Sequence, residues 1–266
     1  MPEVGLRAFL GNTEIVVNNT FLGDAPVLIN GYNTPGKLIP TDGLVMYVDS
    51  TISASFTAGS SVWKDLSGNN INFTVFNSSV FPTYNATEQS LQFNGSTNAL
   101  SARVTGSIAT ITNNTQLAWV KLATLTPSGT SVGEGIINNG LQPQENGFDA
   151  FEFNEIVTSR WSDIRAGGGN FVTASAAETS LDWVFVGVTR GPNEYILYRN
   201  GVEIGRQTTY SPQTYNDGRI SLGQRHANGA GWVANGWLTG SLSMALTYNR
   251  VLTQSEIQNI YNLGRV

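Results

Sequence analysis

Short runs of β-branched and aromatic residues recur from residue 43 to residue 248, and turns rich in Gly and Asn separate them. The run Trp183 to Thr189 reads Trp-Val-Phe-Val-Gly-Val-Thr, which predicts a strand covered on both faces. Leu91 to Gly95 alternates apolar and polar residues before a turn, which predicts a strand with one buried face. A succession of such strands favours a β-sandwich. We expect Trp63, Trp119 and Trp183, which lie inside apolar patterns, to belong to its core.

Two local signals add detail to this pattern. Asn200-Gly201 separates two strand-like runs and supplies the two positive-φ residues of a type I′ turn, so it predicts a β-hairpin. Thr253-Gln254-Ser255-Glu256 is a capping box, and Ile257, Ile260 and Tyr261 after it fall on one helical face. The sequence therefore predicts one short amphipathic helix over residues 254–262, docked on the sandwich.

Composition excludes several classes of function. The chain has 266 residues, no cysteine, 12% charged residues and a net charge of -5. Without cysteine there is no thiol catalysis, no thiolate metal site and no disulfide scaffold. Because no basic run occurs, we expect neither a nucleic-acid nor a membrane partner. The start, Met1-Pro2-Glu3-Val4, lacks the pattern of a secretory signal, so we expect no signal peptide.

The first 40 residues contain a repeat that the rest of the chain lacks. Residues 9–16 (Phe-Leu-Gly-Asn-Thr-Glu-Ile-Val) are echoed by residues 21–28 (Phe-Leu-Gly-Asp-Ala-Pro-Val-Leu), and each copy predicts a small β-hairpin. Two hairpins cannot bury a core alone, so they need another surface. We interpret residues 1–40 as an attachment or oligomerisation arm with a linker at 31–41, and residues 41–266 as the main domain. The side chains expected to bind a partner are Phe9, Leu10, Ile15, Val17, Phe21 and Leu22.

An ordered set of pieces in the main domain resembles a known family. The pieces are Gly43 to Asp49, Trp63 to Asn69, Leu91 to Gly95, Ala118 to Lys121, Trp183 to Thr189, Leu197 to Gly201, and Gly240 to Leu242 running into Tyr248 to Ile257. Together they resemble the laminin-G-like branch of the concanavalin A-like lectin/glucanase superfamily over residues 42–264. The resemblance implies an all-β fold: a two-sheet antiparallel jelly-roll sandwich, here with a short C-terminal helix and an N-terminal β-hairpin arm.

The arm has a resemblance of its own. Its Phe-Leu-Gly-Asn/Asp repeat, within residues 9–28, resembles N-terminal segments of tailed-bacteriophage virion proteins. This implies a protein of the virion, assembled in the host cytoplasm and joined through the arm to other virion proteins. We expect a homo-oligomer or a multi-copy position in such an assembly.

Catalysis is not expected from the acidic residues. Retaining glucanases of the superfamily carry acids at i, i+2 and i+4 of one strand, which places all three on one face. Asp149, Glu152 and Glu155 are spaced by three instead, so a strand turns Glu152 away from the other two. We interpret these acidic residues as polar positions between the buried Phe148, Phe151 and Phe153. The sequence thus predicts no catalytic residue and no enzyme.

The stretch from Gln224 to Trp237 is the predicted ligand site. It combines aromatic rings, amide groups and three glycines, and sugars stack on rings while their hydroxyls bond to amides. The predicted ligand-binding residues are His226, Asn228, Trp232, Asn235 and Trp237. The alternative is that Trp237 is core, that Trp232 packs under a loop and that His226 is a plain loop residue.

No cofactor is expected, although calcium remains an alternative. Calcium prefers hard oxygen ligands, and Asp49, Asp65 and Asn69 lie near the matched pieces. No dense Asp-x-Asp-x-Asp loop occurs, so we favour roles in turns and caps for these three residues. The metal site, if any, stays unassigned.

These observations predict a non-enzymatic structural or binding protein of a tailed-phage virion. It would be a capsid-decorating, fibre or tail-associated protein whose lectin-like domain faces outward to host-surface glycans. Two alternatives stay open: a carbohydrate-binding adhesion module of a bacterial surface protein, and a glycoside hydrolase.

Overall fold

The computed structural model describes residues 39–75, 79–104, 113–126, 133–139, 149–153, 159–165, 170–208, 219–225 and 236–265. It also describes the backbone of residues 7–10 and 13–16, and only the backbone of residues 149–150, 164–165 and 170. The strands before residue 126 are β1 Arg7–Leu10, β2 Thr13–Val16, β3 Leu44–Asp49, β4 Thr74–Val75, β5 Thr83–Asn85, β6 Ser90–Asn94, β7 Leu100–Arg103 and β8 Asn114–Leu122. Those after it are β9 Glu134–Asn139, β10 Asp149–Phe153, β11 Trp161–Arg165, β12 Asn170–Thr173, β13 Val184–Arg190, β14 Tyr195–Arg199, β15 Val202–Gln207, β16 Arg219–Leu222 and β17 Thr239–Tyr248. One helix follows, α1 Gln254–Asn262.

Two antiparallel sheets form the body of the molecule. One has the order β12-β11-β10-β9-β16-β7-β4, and the other has the order β15-β14-β13-β8-β17-β6-β5 with β3 also paired to β17. Apolar side chains from both sheets fill the space between them; they include Leu100, Phe151, Trp161, Leu222, Val186 and Leu242. The predicted all-β, two-sheet antiparallel sandwich with a short C-terminal helix is confirmed.

The central strand β13 is buried on both faces, as its sequence predicts. Val184, Val186 and Val188 face the core between the sheets, whereas Phe185 faces a second apolar cluster on the outer side. The predicted hairpin is also confirmed: β14 pairs with β15 across Asn200-Gly201, whose φ angles are 51° and 77°.

The helix covers that second cluster. Thr253 caps it, since its hydroxyl accepts from the Glu256 amide and the Glu256 carboxylate accepts from the Thr253 amide at 2.8 Å. Ile257 and Ile260 are buried against Trp119 and Phe185 in the outer cluster. A helix with one apolar stripe therefore shields the outer face of the eight-stranded sheet from water.

The predicted core tryptophans differ in position. Trp63 is buried between the sheets and Trp119 is buried under the helix. The expectation for Trp183 is only partly correct, because it precedes β13 and is half-buried, with the Arg265 guanidinium 3.9 Å from its ring centroid. Ile39 is 1% exposed within the outer cluster, so the packed sandwich includes this residue.

The first copy of the N-terminal repeat forms the predicted hairpin. β1 and β2 pair antiparallel, with Phe9 opposite Glu14 and Leu10 opposite Thr13. The second copy lies outside the described residues. Across the described parts of the chain, no helix combines the length and the apolar character that a membrane crossing requires.

Candidate functional site

The predicted ligand stretch from Gln224 to Trp237 connects β16 of one sheet to β17 of the other. Its two ends lie side by side, since Gln224 and Trp237 form an antiparallel bridge and the Arg225 amide donates to the Gly236 carbonyl at 3.0 Å. Trp237 is half-buried, and its indole Nε1 has no hydrogen-bond partner among the described residues. The residue as a whole is not fully buried, and stacking on a sugar requires an aromatic residue that is at least partly accessible.

The other four predicted ligand-binding residues, His226, Asn228, Trp232 and Asn235, lie outside the described residues. Their role stays a prediction. The described residues form the base of this stretch.

Strand β9 supplies hydrogen bonds to both ends of the stretch. At the entry, the Gly223 amide donates to the Ile136 carbonyl at 3.2 Å, and Asn138 Nδ2 donates to the Gln224 carbonyl. At the exit, the Gly135 amide donates to the Gly236 carbonyl at 2.9 Å. The Thr239 amide, at the start of β17, donates to Glu134 Oε2 at 3.0 Å. One strand therefore holds the chain where it leaves one sheet and where it enters the other.

Gly135 is required by this close approach. A Cβ atom at this position would lie 2.6 Å from Asn138 Nδ2 and closer still to the Arg225 amide nitrogen. The register between β9 and β10 shifts beside it, between Phe151 and Glu152. A glycine at such an irregularity is typical of a place where another backbone segment must come close.

Glu152 approaches the same point from β10, as a polar position between two phenylalanines. The expected burial of Phe151 and Phe153 is confirmed, and both face the core between the sheets. Strand alternation turns Glu152 to the opposite side, where it is fully buried and its Oε2 lies 3.5 Å from Arg225 Nη1. Phe148 and Glu155 lie outside the described residues.

Glu134 is a buried carboxyl group of this region whose pKa is raised. Burial raises its pKa to about 7, and the hydrogen bond from the Thr239 amide only partly opposes this effect. Its second oxygen, Oε1, has no hydrogen-bond partner within the described part of the chain. Desolvation of a carboxylate that gains a single amide donor explains the preference for the protonated form.

These five residues, Glu134, Gly135, Asn138, Glu152 and Arg225, are called the loop anchor below. The sequence does not indicate them as a group, because they come from three segments that meet only through sheet register. One signal was available: Gly135 stands directly before the apolar pair Ile136-Ile137, and a glycine in a strand often marks a bulge or a close backbone approach.

Comparison with known proteins bears on this fold. The family profile of the concanavalin A-like lectin/glucanases superfamily, of the laminin G type, matches residues 93–258, which is more than half of the chain. The chain belongs to this superfamily. The resemblance seen in the sequence is therefore confirmed for these residues. Among curated proteins, none matches the sequence.

Solved structures give this concanavalin A-like domain further relatives in fold. Trypanosoma rangeli sialidase in complex with the inhibitor DANA has a TM-score of 0.59 at 19% identity, covering 85% of this chain and 34% of the sialidase chain. Domain 4 of AbnA, a GH43 extracellular arabinanase from Geobacillus stearothermophilus, in complex with arabinotriose, has a TM-score of 0.57 at 15% identity, covering 82% of this chain and 98% of that domain. The ligand-binding domain of botulinum neurotoxin serotype D in complex with N-acetylneuraminic acid has a TM-score of 0.57 at 15% identity, covering 84% of this chain and 51% of the neurotoxin chain. The chain thus spans about a third of the length of the sialidase.

The candidate calcium residues of this concanavalin A-like domain organise loops. Asp65 accepts from the amides of Tyr47 and Ser67 at 2.9 Å each, and Asn69 Nδ2 donates to the Val45 carbonyl at 2.9 Å. Asp49 Oδ1 accepts from the Thr51 amide at 2.9 Å. Within the described residues, no group of three or more His, Asp or Glu side chains is arranged to hold a metal ion.

The predicted partner-binding residues lie before the lectin-like domain. Phe9 and Leu10 belong to β1 and Ile15 belongs to β2. Val17, Phe21 and Leu22 lie outside the described residues, so their role stays a prediction.

Proposed function

We propose that this concanavalin A-like chain is a non-enzymatic glycan-binding module, and that the glycan binds at the stretch from Gln224 to Trp237. The observation that carries this proposal is the likeness to domain 4 of AbnA. That likeness covers 98% of a domain whose structure contains arabinotriose. The ligand-binding domain of botulinum neurotoxin serotype D, in complex with N-acetylneuraminic acid, supports the same class of ligand.

Trp237 is the described residue best suited to contact the sugar. The residue is half-buried and its backbone pairs with Gln224, at the point where both ends of the stretch are hydrogen-bonded to β9. A tryptophan on a backbone held in this way can stack on the C–H face of a sugar with little backbone ordering on binding.

The charges at the base of the stretch favour a neutral oligosaccharide over an acidic one. Arg225 is the cationic residue next to the Gln224–Trp237 bridge, and the buried carboxylate of Glu152 faces it at 3.5 Å. The charge that would bind a sugar carboxylate is therefore already compensated within the protein. The net charge of -5 further opposes an acidic ligand.

The surroundings of the acidic residues support the absence of catalysis. A glycosidase needs two carboxyl groups that flank the scissile bond from a position open to the substrate. Glu152 is fully buried against Arg225, and Glu134 is 2% exposed with one oxygen bound to the Thr239 amide. Neither group is placed to reach a bound sugar.

We further propose that the module belongs to a tailed-phage virion. A hairpin of two four-residue strands, β1 and β2, cannot bury a core of its own. We infer that the arm binds another virion protein or a copy of itself, while the lectin-like domain faces outward to host glycans.

Titration calorimetry with neutral and sialylated oligosaccharides tests the binding proposal. Trp237→Ala should abolish binding of a neutral oligosaccharide. Trp183→Ala is the matched control, because it also truncates a half-buried tryptophan, but one that packs against the outer apolar cluster beside Arg265. Both variants should be compared at temperatures well below their unfolding midpoints.

Two outcomes would contradict the proposal. One is the absence of binding to every neutral oligosaccharide tested; the other is binding that survives Trp237→Ala. Release of reducing sugar by the unmodified protein, abolished by Glu134→Gln or Glu152→Gln, would show an enzyme instead.

A further inference from the structure

Strand β9 contacts both ends of the predicted ligand stretch. Four groups of strand β9 bond to them: Glu134 Oε2, the Gly135 amide, the Ile136 carbonyl and Asn138 Nδ2. The ends also bond to each other, since the Leu238 amide donates to the Gly223 carbonyl at 2.9 Å. Trp237 lies between Gly236, which bonds to β9, and Leu238, whose carbonyl accepts from the Gly95 amide at 2.9 Å, so the backbone on both sides of Trp237 is held.

A neighbouring strand adds a charged contact. Glu152 of β10 and Arg225 are 0% and 11% exposed in their side chains, and their closest atoms are 3.5 Å apart. An ion pair shielded from solvent is only weakly screened by salt, and loss of one partner leaves the other buried and uncompensated. This pair therefore ties the first residue after Gln224 to the seven-stranded sheet.

The backbones of the stretch and of β9 are in close contact at the loop anchor. Gly135 already brings the Gln224–Arg225 backbone closer to β9 than any side chain would permit. The Arg225 amide donates to the Gly236 carbonyl, so a displacement of the Arg225 backbone would also displace Gly236. Gly236 is adjacent to Trp237. The contacts thus form a continuous path from Glu152 to the tryptophan.

We propose that Glu152, acting through Arg225, is a positioning residue for Trp237, and that it sets the affinity of the glycan site without touching the glycan. The inference rests on the proposed function for its effect on affinity. Its structural half, the order of the backbone around Trp237, can be measured in the absence of any glycan.

Hydrogen exchange and titration calorimetry on the full chain test the two halves. In Glu152→Gln, the amides of Arg225 and Leu238 should exchange at least about tenfold faster. Affinity for a neutral oligosaccharide bound by the unmodified protein should fall about tenfold, which corresponds to ~1.4 kcal/mol. Glu152→Asp retains the carboxylate and should recover part of both losses.

Glu178→Gln is the matched control. Glu178 is also a buried carboxylate paired with an arginine, but its partner is Arg199, with Oε2 2.7 Å from Nε, and it accepts from Trp161 Nε1. Loss of this pair should destabilise the fold without changing exchange at Arg225 and Leu238. Asn138→Ala, which removes the bond to the Gln224 carbonyl, is a second test if Glu152→Gln does not fold.

The inference is overturned if Glu152→Gln and Asn138→Ala leave both exchange and affinity unchanged while Trp237→Ala abolishes binding. That result would leave the proposed function in place. If the unmodified protein binds no glycan, the proposed function fails. Faster exchange in Glu152→Gln but not in Glu178→Gln would still support the positioning role, and equal exchange in both would reject it.

Discussion

Arg190 of β13 and Asp163 of β11 form an ion pair between the two sheets, and both side chains are fully buried. Arg190 Nε donates to Asp163 Oδ2 at 2.9 Å, and its Nη1 donates to Asn114 Oδ1 and Gln116 Oε1 at 2.6 and 2.9 Å. The guanidinium is therefore satisfied by groups of β8 and β11 at once. A charged group in a sandwich core can persist only with such partners.

Asp163→Ala should lower the free energy of unfolding by about 3–5 kcal/mol, because it leaves the arginine buried without its counter-charge. Urea unfolding monitored by circular dichroism measures this change. Glu203→Gln is the control, since it breaks an exposed pair with Arg206 and should cost at most about 1 kcal/mol. Similar losses in the two variants would show that the buried pair does not hold the sheets together.

The raised pKa of Glu134 predicts a dependence of stability on pH. Between its ordinary value of 4.5 and about 7, the unfolded chain has lost this proton while the folded chain keeps it. The free energy of unfolding should therefore fall as pH rises through this window, and should not fall further above it. Between pH 5 and pH 8, Glu134 should lower the free energy of unfolding by about 2–3 kcal/mol.

Gln cannot ionise, so in Glu134→Gln the free energy of unfolding should not fall between pH 5 and pH 8. The variant keeps an oxygen acceptor for the Thr239 amide. Unfolding free energies of both proteins at pH 5 and pH 8 measure the difference. Glu203→Gln, at an exposed site, should leave the decrease in place. An unchanged decrease in Glu134→Gln would assign it to another group.

Trp119 joins the eight-stranded sheet to the helix. Its ring centroid lies 5.4 Å from that of Phe185 and 5.8 Å from that of Tyr261, and the side chain is 8% exposed. Trp119→Ala should cost about 3–5 kcal/mol, from lost burial and the cavity left behind. Thermal unfolding measures this loss. Leu181→Ala, at a residue 46% exposed, should change stability by no more than about 0.5 kcal/mol.

Deletion of residues 1–38 should remove the arm and leave a folded, monomeric sandwich. Ile39 must be retained, because it is buried in the cluster under the helix. The proposed virion role predicts that the truncated protein unfolds cooperatively but no longer joins its assembly, which sedimentation and co-purification with virions would measure. A deletion that unfolds the sandwich, or one that still assembles, would count against an attachment role.

Several elements could be predicted from the sequence because their causes are local. The capping box at Thr253 and Glu256 and the apolar spacing of Ile257 and Ile260 predict the helix, whose bounds are Gln254–Asn262. Asn200-Gly201 predicts the hairpin, because few other residue pairs adopt two positive φ angles without strain. Such signals depend on residues a few positions apart, so they survive without knowledge of the fold.

The charged contacts could not be predicted in the same way. The partners Arg190 and Asp163 are 27 positions apart, and Glu152 meets Arg225 from a different strand. Their meeting depends on strand order and register, and a shift of one residue turns a side chain to the other face of its sheet. The sequence by itself determined several strands, the turn, the helix and the family. Only the tertiary structure decided that Glu152 is buried and that β9 holds both ends of the predicted ligand stretch, because burial and pairing arise where distant segments pack.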